Sequence, residues 1–497
     1  MRRVLIANRG EIARRIIRTC REMGLETVAV YSEVDADAPY VSEADRAAPI
    51  GPAPAAESYL NIPRVIDAAR RSKADAVHPG YGFLSENPAF ADACAQAGLT
   101  FVGPPGAVIR RTGSKTAARE SVSAAGVPIV PGETPASQEE DDILRAMTRV
   151  GFPVLLKATS GGGGRGMRIV RQPPEAAEAI GVARREAQRA FADGTLYVER
   201  LIERPRHVEV QIFADEHGHV VHLLERDCTL QRRHQKVIEE TPAPSLASAV
   251  RDRLTAAAVA AARAVGYVNA GTVEFLVEGE GDAATFYFLE VNTRLQVEHP
   301  ITEAITGFDL VRAQLLVASG EPLPFTQADV RANGHAIECR IYAEDSLRLL
   351  PQSGRLLRYR EPSGPGIRVD SGVREGQNVT VHYDPLLAKL IAHGATREEA
   401  LARMTEALGR YEILGVRHNV AFLRALLARP EVIRHDVHTR FIEEHLEELT
   451  REPRATLAPA AAALAALVAM RGPAPAASDA TSQARFDPWQ TLGPISW

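Results

Sequence analysis

Short β-branched runs alternate with amphipathic helical stretches over the first hundred residues, and this pattern constrains the fold more than any other feature of the chain. Strands are predicted at residues 3–8, 27–32, 75–80 and 99–104, and helices at 11–23 and 63–72. Strands that alternate with helices are typical of a parallel, doubly wound sheet, which binds ligands at the carboxyl ends of its strands. The first strand–helix turn, Asn8-Arg9-Gly10-Glu11, lacks the GxGxxG pattern, so a dinucleotide-binding Rossmann domain is not expected.

The chain continues into two further units. Its 497 residues are enough for roughly three domains of about 150 residues each. From about Gly113 the pattern changes to longer strands, with a predicted hairpin over 208–226 and a helix over 249–265. A third unit begins near Asn333 and ends with helices over 397–411 and 420–427. The sequence therefore predicts an α/β region followed by α+β regions, and the Ala- and Pro-rich residues beyond about 450 predict a linker.

The composition excludes several classes of protein. Lys and Arg total 58 and Asp and Glu total 63, so the net charge of −5 provides no global field to attract nucleic acid or an acidic membrane. The four cysteines lie far apart without a CxxC, which argues against a disulfide scaffold and a zinc ribbon. Neither the short apolar run before Asn8 nor the alanine-rich stretch at 455–470 has the length of a signal peptide core or a membrane span. We expect a cytoplasmic protein.

A run of glycines over residues 160–166 lies between predicted strands at 153–158 and 167–171, and Lys157 stands near the end of the first strand. Glycines let backbone N–H groups approach phosphate oxygens, and a lysine supplies a point charge. A strand follows the run and no GxxxxGK[ST] occurs, so neither a dinucleotide loop nor a P-loop is expected. The pattern predicts a phosphate-binding flap, and the alternative is a linker without function.

Polar side chains occupy every second position near residue 294: Glu290, Asn292, Arg294, Gln296 and Glu298. In an extended strand these side chains would share one face. Glu274, on the preceding predicted strand, would lie beside Glu290 in a hairpin, and two carboxylates with an amide suit Mg²⁺. Arg294 can hold a planar anion through two parallel hydrogen bonds, and Glu298 can act as a general base. The alternative is an ordinary solvated strand face.

Three weaker signals do not support an assignment by themselves. The basic cluster at 232–236 is typical of a solvated surface. His207 is equally compatible with a hydrogen-bonded core histidine. Arg340 lies two residues from Glu338 in a predicted strand, and an ion pair at the edge of a sheet would explain it.

Several motifs resemble the biotin carboxylase family of ATP-grasp enzymes: IANRGEIA (6–13), HPGYGFLSEN (78–87), GGGGRGMR (161–168), ERDC and QRRHQK (within 225–236) and EVNTRLQVEHPITE (290–303). They follow the order of that family from residue 1 to about 447. The resemblance implies a Rossmann-like N-terminal domain over 1–112 and an ATP-grasp domain over 113–320 with a glycine-rich lid at about 131–203. It further implies a biotin carboxylase C-terminal domain over 333–447 and a linker or tail over 448–497.

The same resemblance implies roles for residues at matching positions. The predicted ATP-binding residues are Lys115, Lys157, Gly162, Gly163, Gly164, Glu199, Ile202, His207, Gln231 and His234. The predicted ligands of Mg²⁺ or Mn²⁺ are Glu274, Glu290 and Asn292. The predicted bicarbonate and biotin contacts are Tyr81, Gly82, Arg294, Gln296, Val297, Glu298 and Arg340. Catalysis would depend on Lys236, on Arg294, on Glu298 as the base and on Arg340, which would stabilise charge on the ureido oxygen of biotin.

The implied activity is ATP-dependent carboxylation of biotin by bicarbonate through carboxyphosphate, the first half-reaction of an acyl-CoA carboxylase. No AMKM-type biotinyl-lysine motif occurs, so biotin would arrive on a carrier protein or domain, and a carboxyltransferase subunit would take the product. The resemblance also implies a homodimer. Two alternatives remain: another ATP-grasp carboxylate–amine ligase, which would not need Arg294, Gln296, Glu298 or Arg340, and a non-catalytic ATP-binding subunit.

Overall fold

The computed structural model describes residues 1–159, 167–191 and 193–450 of the chain. The glycine run and almost all of the predicted tail lie outside the described residues. Within these three ranges, every helix is too short or too polar to span a bilayer.

A parallel sheet of five strands, in the order β3-β2-β1-β4-β5, forms the N-terminal region. Its strands are β1 (Arg3–Ile6), β2 (Glu26–Ser32), β3 (Arg46–Gly51), β4 (Ala76–His78) and β5 (Thr100–Phe101). The helices here are α1 (Gly10–Glu22), α2 (Pro39–Glu43), α3 (Ile62–Ser72), α4 (Pro88–Gln96) and α5 (Gly106–Gly113). All four pairings are parallel, which confirms the predicted sheet. The edge strand β3 was not predicted, because its sequence RAAPIG contains a proline and a single β-branched residue.

A four-stranded antiparallel sheet in the order β6-β9-β7-β8 follows. It contains β6 (Gly132–Glu133), β7 (Val154–Ala158), β8 (Arg168–Val170) and β9 (Leu196–Arg200), with helices α6 (Lys115–Ala124), α7 (Glu140–Val150) and α8 (Ala176–Phe191). The strands on either side of the glycine run pair with each other, Val154 opposite Val170. They therefore form an antiparallel pair on either side of the run, which itself lies outside the described residues.

An eight-stranded antiparallel sheet in the order β14-β13-β10-β11-β12-β15-β22-β20 carries most of the polar groups described below. Its strands are β10 (Arg206–Ala214), β11 (Val220–Arg232), β12 (Gln235–Thr241), β13 (Asn269–Glu278), β14 (Thr285–Asn292), β15 (His335–Tyr342), β20 (Ile367–Ser371) and β22 (Leu386–Gly394). The predicted hairpin over 208–226 is confirmed by the pairing of β10 with β11. Because β12 pairs with β15, the central and C-terminal regions share one continuous sheet.

The remaining helices and strands of the described residues follow. The helices are α9 (Ser248–Ala264), α10 (His299–Thr306), α11 (Leu310–Ala318), α12 (Arg397–Gly409), α13 (Val420–Leu427), α14 (Pro430–Arg434), α15 (Phe441–Glu444) and α16 (Leu446–Leu449). The short strands are β16 (Glu344–Asp345), β17 (Leu350–Pro351), β18 (Gly354–Arg355), β19 (Arg358–Arg360), β21 (Asn378–Val379) and β23 (Glu412–Leu414). The predicted helices over 249–265, 397–411 and 420–427 are confirmed by α9, α12 and α13.

The prediction of a single extended strand over residues 290–298 is wrong. Strand β14 ends at Asn292, and α10 begins at His299 after a connection that turns at residues 297–298. Pro300 occupies the first turn of α10, where its fixed φ and missing N–H favour the start of a helix. Ile301 and Ile305 then bury one face of that helix. The alternation of polar and apolar residues therefore crosses the boundary between a strand, a turn and a helix.

Candidate active site

Three glutamates lie side by side across neighbouring strands of the eight-stranded sheet. Glu209 on β10 stands directly opposite Glu274 on β13, which stands opposite Glu290 on β14. Lys236 on β12 reaches into this row: its Nζ donates to Glu209 Oε2 at 2.6 Å and to Glu274 Oε1 at 2.9 Å. The same Nζ donates to Glu298 Oε1 at 2.6 Å, so one ammonium group joins three carboxylates. The predicted pairing of Glu274 with Glu290 is confirmed by the register.

Neighbouring charges decide which of these carboxylates is ionised. Burial alone would raise the pKa of Glu274, but Lys236 and His207 lower it well below its ordinary value. His207 Nε2 lies 2.9 Å from Glu274 Oε2. Burial lowers the pKa of this imidazole, but the Glu274 carboxylate outweighs burial and raises the pKa above its ordinary value. Burial raises the pKa of Glu209 despite the attraction of Arg226 and Lys236. Glu274 is thus anionic and suited to a cation.

The chemistry of the donor set fits a magnesium ion. Glu274 and Glu290 supply two carboxylates, and Asn292, at the end of β14, donates from Nδ2 to Glu274 Oε1 at 2.9 Å. The amide oxygen of Asn292 accepts a hydrogen bond from Arg294 Nη2 at 3.3 Å. Carboxylate and amide oxygens are the hard ligands that Mg²⁺ takes in proteins, usually with substrate phosphate in its remaining positions.

A cavity of about 500 Å³ adjoins the carboxylate row and is lined by residues of α6, β7, β9 and β14. Lys157, Glu199 and Glu290 all border it. Glu199 accepts a hydrogen bond from Arg119 Nη1 at 2.6 Å and also pairs with Lys157. Two of the predicted nucleotide-binding residues therefore share a cavity with a predicted metal ligand. Ile202 is buried close to β9 and is not among the lining residues.

The residues between β14 and α10 form a cradle with a guanidinium, an amide and a carboxylate. Arg294 Nη1 donates to Gln296 Oε1 at 2.9 Å, and Arg294 Nε donates to Glu86 Oε2 at 2.9 Å. Gln296 Nε2 is buried and has no hydrogen-bond acceptor among the described residues. A buried N–H without an acceptor is costly, so this group fits an anion held beside Arg294.

Glu298 lies at the end of this cradle and is fully buried. Its Oε2 accepts a hydrogen bond from Arg340 Nη2 at 3.0 Å, and its Oε1 accepts one from Lys236. Burial alone would raise the pKa of Glu298, but Lys236 and Arg340 hold it well below its ordinary value. Arg340 itself is fixed on its other side, where Nε donates to Glu239 Oε1 at 2.6 Å.

The N-terminal region approaches the cradle through the loop after β4. Tyr81 donates from its hydroxyl to Glu11, and Lys389 Nζ lies 5.8 Å from the centre of the Tyr81 ring. Lys389 Nζ also donates to the Val297 carbonyl oxygen at 2.8 Å. Gly82 follows with a φ of 67°, a conformation that favours glycine. Tyr81 and Val297 therefore both lie near Lys389, and Gly82 follows Tyr81 in the loop.

Four of the predicted ATP-binding residues lie partly or wholly outside the described structure. Lys115 begins α6, and its side chain is outside the described structure. Gly162, Gly163 and Gly164 lie outside the described residues. Two others are placed clearly: Gln231 Nε2 lies 3.4 Å from His207 Nδ1, whereas His234 lies exposed at the tip of the β11–β12 hairpin with a φ of 63°.

Family models cover this whole arrangement. A model described as "Biotin carboxylase, N-terminal domain" matches residues 1–109, "Carbamoyl-phosphate synthase L chain, ATP binding domain" matches 114–326, and "Biotin carboxylase C-terminal domain" matches 338–444. A biotin carboxylase of Halalkalibacterium halodurans is 50% identical over 449 residues, which are 90% of this chain and 99% of that protein. The chain belongs to the biotin carboxylase family. The resemblance drawn from the motifs is therefore confirmed, and with it the predicted class of enzyme, an ATP-dependent ligase.

Solved structures of the biotin carboxylase family share the fold. A biotin carboxylase from Campylobacter jejuni in complex with β,γ-ATP has a TM-score of 0.86 and 43% identity, over 89% of this chain and 99% of that chain. The biotin carboxylase domain dimer of Hydrogenobacter thermophilus 2-oxoglutarate carboxylase, in complex with MgADP, ADP and bicarbonate, also has a TM-score of 0.86 and 43% identity, over 91% of this chain and 99% of that one. The predicted fold class is confirmed.

Larger relatives extend beyond the matched region. The methylcrotonoyl-CoA carboxylase subunit alpha of Glycine max is 51% identical over 448 residues, which are 90% of this chain and 61% of that subunit. The chain thus spans about three-fifths of the length of that subunit.

Sequence reasoning missed several polar residues that complete this biotin carboxylase site. Glu209 could have been found, because His207, Glu209 and Gln211 alternate with apolar residues on β10 in the same period of two that drew attention to residue 290. Glu86 and Lys389 carried no such signal, because they reach Arg294 and Val297 from segments remote in the sequence.

Proposed function

We propose that this member of the biotin carboxylase family uses ATP and bicarbonate to carboxylate biotin that is presented by a separate carrier protein or domain. The observation that supports this most is the cradle of Arg294, Gln296 and Glu298, where a guanidinium and an unpartnered buried amide N–H adjoin an anionic carboxylate. The related Hydrogenobacter thermophilus domain was solved with both MgADP and bicarbonate, which supports a site for the two together.

The first step activates bicarbonate, which is a poor electrophile. Transfer of the γ-phosphoryl group of ATP to bicarbonate gives carboxyphosphate, and the protein contributes positioning and charge stabilisation to that transfer. Arg294 and Gln296 hold the bicarbonate. Lys157, which lines the cavity beside Glu290, and Lys236, which contacts Glu274 and Glu298, meet the phosphate charge. Glu274, Glu290 and Asn292 would hold Mg²⁺, which neutralises phosphate charge when it is bound.

Glu298 accepts the proton of bicarbonate in this proposal. In the described arrangement it is a weak base, because Lys236 and Arg340 hold its pKa well below the ordinary value. When the substrates bind, phosphate oxygens attract Lys236, and the ureido oxygen of biotin attracts Arg340. Both contacts to Glu298 are then weakened. Its pKa then rises when the substrates are in place, and its strength as a base rises with it.

The second step transfers the carboxyl group. Carboxyphosphate decomposes to CO₂ and phosphate, and that phosphate removes the weakly acidic N1′ proton of biotin. The N1′ anion then attacks the carbon of CO₂, which forms the new N–C bond. Arg340 stabilises the negative charge that develops on the ureido oxygen, while Tyr81 and Gly82 place the ring. The burial of Gln296, Glu298 and Arg340 limits the access of water, which would otherwise hydrolyse the intermediate.

The partners, the oligomeric state and the location of the enzyme are also part of the proposal. Biotin carboxylase subunits work with a biotin carrier and a carboxyltransferase, and we propose both as partners, with a homodimer and a cytoplasmic location. We also keep the domain limits 1–112, 113–320 and 333–447 as proposals, with 448–497 as a linker. A carboxylate–amine ligase would not need the cradle, and no observation favours it.

Phosphate release from MgATP and bicarbonate, measured with and without free biotin, tests the proposal. Release that biotin stimulates is the expected result. Release that requires an amine acceptor would identify a carboxylate–amine ligase instead. A protein that binds ATP without releasing phosphate under any of these conditions would be a non-catalytic subunit, and the proposal would fail.

A further inference from the structure

Two buried glutamates that the proposed reaction does not use lie directly behind Arg340. Glu239 on β12 is the cross-strand partner of Glu338 on β15, and both side chains are fully buried. Directly opposed residues of an antiparallel pair have Cβ atoms about 5 Å apart and project to the same face. Two carboxyl groups are therefore adjacent at the seam where the central and C-terminal regions share one sheet.

Three of the four carboxyl oxygens of this pair have no hydrogen-bond donor among the described residues. Glu239 Oε1 accepts a hydrogen bond from Arg340 Nε at 2.6 Å, whereas Glu239 Oε2 has no donor among the described residues. Both oxygens of Glu338 also lack a donor in that part of the chain. A buried anionic carboxylate without a donor is strongly unfavourable, whereas a protonated Glu338 can donate to Glu239 Oε2.

In the described part of the chain, Arg340 and Lys389 face Glu338, and both are already engaged with other groups. Arg340, two residues along β15, already binds Glu239 and Glu298. Lys389 on β22 donates to the Val297 carbonyl oxygen and lies 3.2 Å from Glu11 Oε1. Burial raises the pKa of Glu338 well above its ordinary value, with Glu239 and Glu298 adding to the rise and Lys389 and Arg340 opposing it. The pair therefore keeps at least one proton at neutral pH.

We propose that Glu338 is a positioning residue that, as a neutral carboxylic acid, donates a hydrogen bond to Glu239 and so holds Arg340 against Glu298. The chain of contacts runs from Glu338 through Glu239 and Arg340 to Glu298, and its inner end is the cradle. This inference rests on the proposed function, because it assigns the orientation of Arg340 to the biotin step. Loss of the hydrogen bond would let Glu239 and Arg340 move together and would misplace the guanidinium that faces the ureido oxygen.

The matched variants Glu338→Gln and Glu338→Leu test the proposal. Both are neutral and close to glutamate in size, but only glutamine can donate an N–H to Glu239 Oε2. The measured quantity is the rate of phosphate release from MgATP and bicarbonate in the presence of biotin, divided by the rate without biotin. We expect this ratio to stay within about twofold of wild type in Glu338→Gln and to fall about tenfold or more in Glu338→Leu, the size expected for losing a hydrogen bond to a charged group.

Equal ratios in the two variants would overturn the proposal, provided that wild type shows biotin stimulation. If wild type shows none, the proposed function fails instead, and the two outcomes are distinguishable. Infrared difference spectra of wild type against Glu338→Gln give an independent measure at neutral pH. We expect the carbonyl-stretch band of a buried carboxylic acid in wild type only; its absence would show that Glu338 is ionised and would overturn the proposal even if Glu338→Leu failed to fold.

Discussion

Replacement of Lys236 by methionine removes the one ammonium group that joins Glu209, Glu274 and Glu298. The three Nζ–oxygen distances are 2.6, 2.9 and 2.6 Å, and the lysine side chain is 12% exposed. Removal of one partner of a buried ion pair typically costs about 3 to 5 kcal/mol, because the remaining charge stays buried without compensation. Methionine keeps an unbranched side chain that ends where the Cε of lysine lies, so the variant removes the ammonium group and little else. We expect a lower melting temperature, measured by thermal denaturation.

The same variant should also change the pH dependence of the reaction. Glu298 has a lowered pKa, so its ionised form is present above that pKa and is lost as the pH falls through it. Lys236 is the largest of the influences that lower this pKa, so Lys236→Met raises it. The acid limb of kcat/KM then moves to higher pH, and turnover at neutral pH falls about 10²-fold or more because the variant lacks the cation that meets the phosphate charge.

Lys236→Arg is the matched control for this prediction. It keeps the positive charge, so the acid limb should remain near that of wild type, although the planar guanidinium cannot reproduce all three contacts. Turnover of Lys236→Met within about threefold of wild type, with an acid limb that has not moved, would refute the reasoning.

Three further predictions concern the cradle, the metal and the stability. Arg294→Ala and Glu298→Gln should each lower turnover by about 10²-fold or more, and near-normal steady-state rates in both would exclude the bicarbonate cradle. Removal of divalent cations with EDTA should abolish phosphate release, and added Mg²⁺ should restore it; release that persists would contradict the metal assignment. Burial would raise the pKa of Glu240, but His335 and Arg397 lower it from 4.5 to about 2. Glu240→Gln should therefore remove about 3 kcal/mol of stability at neutral pH, and thermal melts should show this difference shrinking as the pH falls from about 4.5 towards 2.

The sequence determined the features that depend on local periodicity. Alternating strands and helices identified the parallel N-terminal sheet, and a period of two on either side of a turn identified the β10–β11 hairpin. The opposition of Glu274 and Glu290 followed in the same way, because a hairpin brings consecutive strands together. The motifs then gave the family, which the comparisons confirmed.

The way the remaining groups meet depends on long-range packing. Residues 293–298 keep a strand-like alternation but turn into α10, and their side chains converge because Lys236 and Arg340 reach Glu298 from β12 and β15. The pairing of β12 with β15 joins segments about a hundred residues apart, and Glu86 reaches Arg294 from the N-terminal region. Such contacts depend on which strands pack beside each other across the whole fold, and a local pattern of apolar and polar residues carries no information about a distant partner.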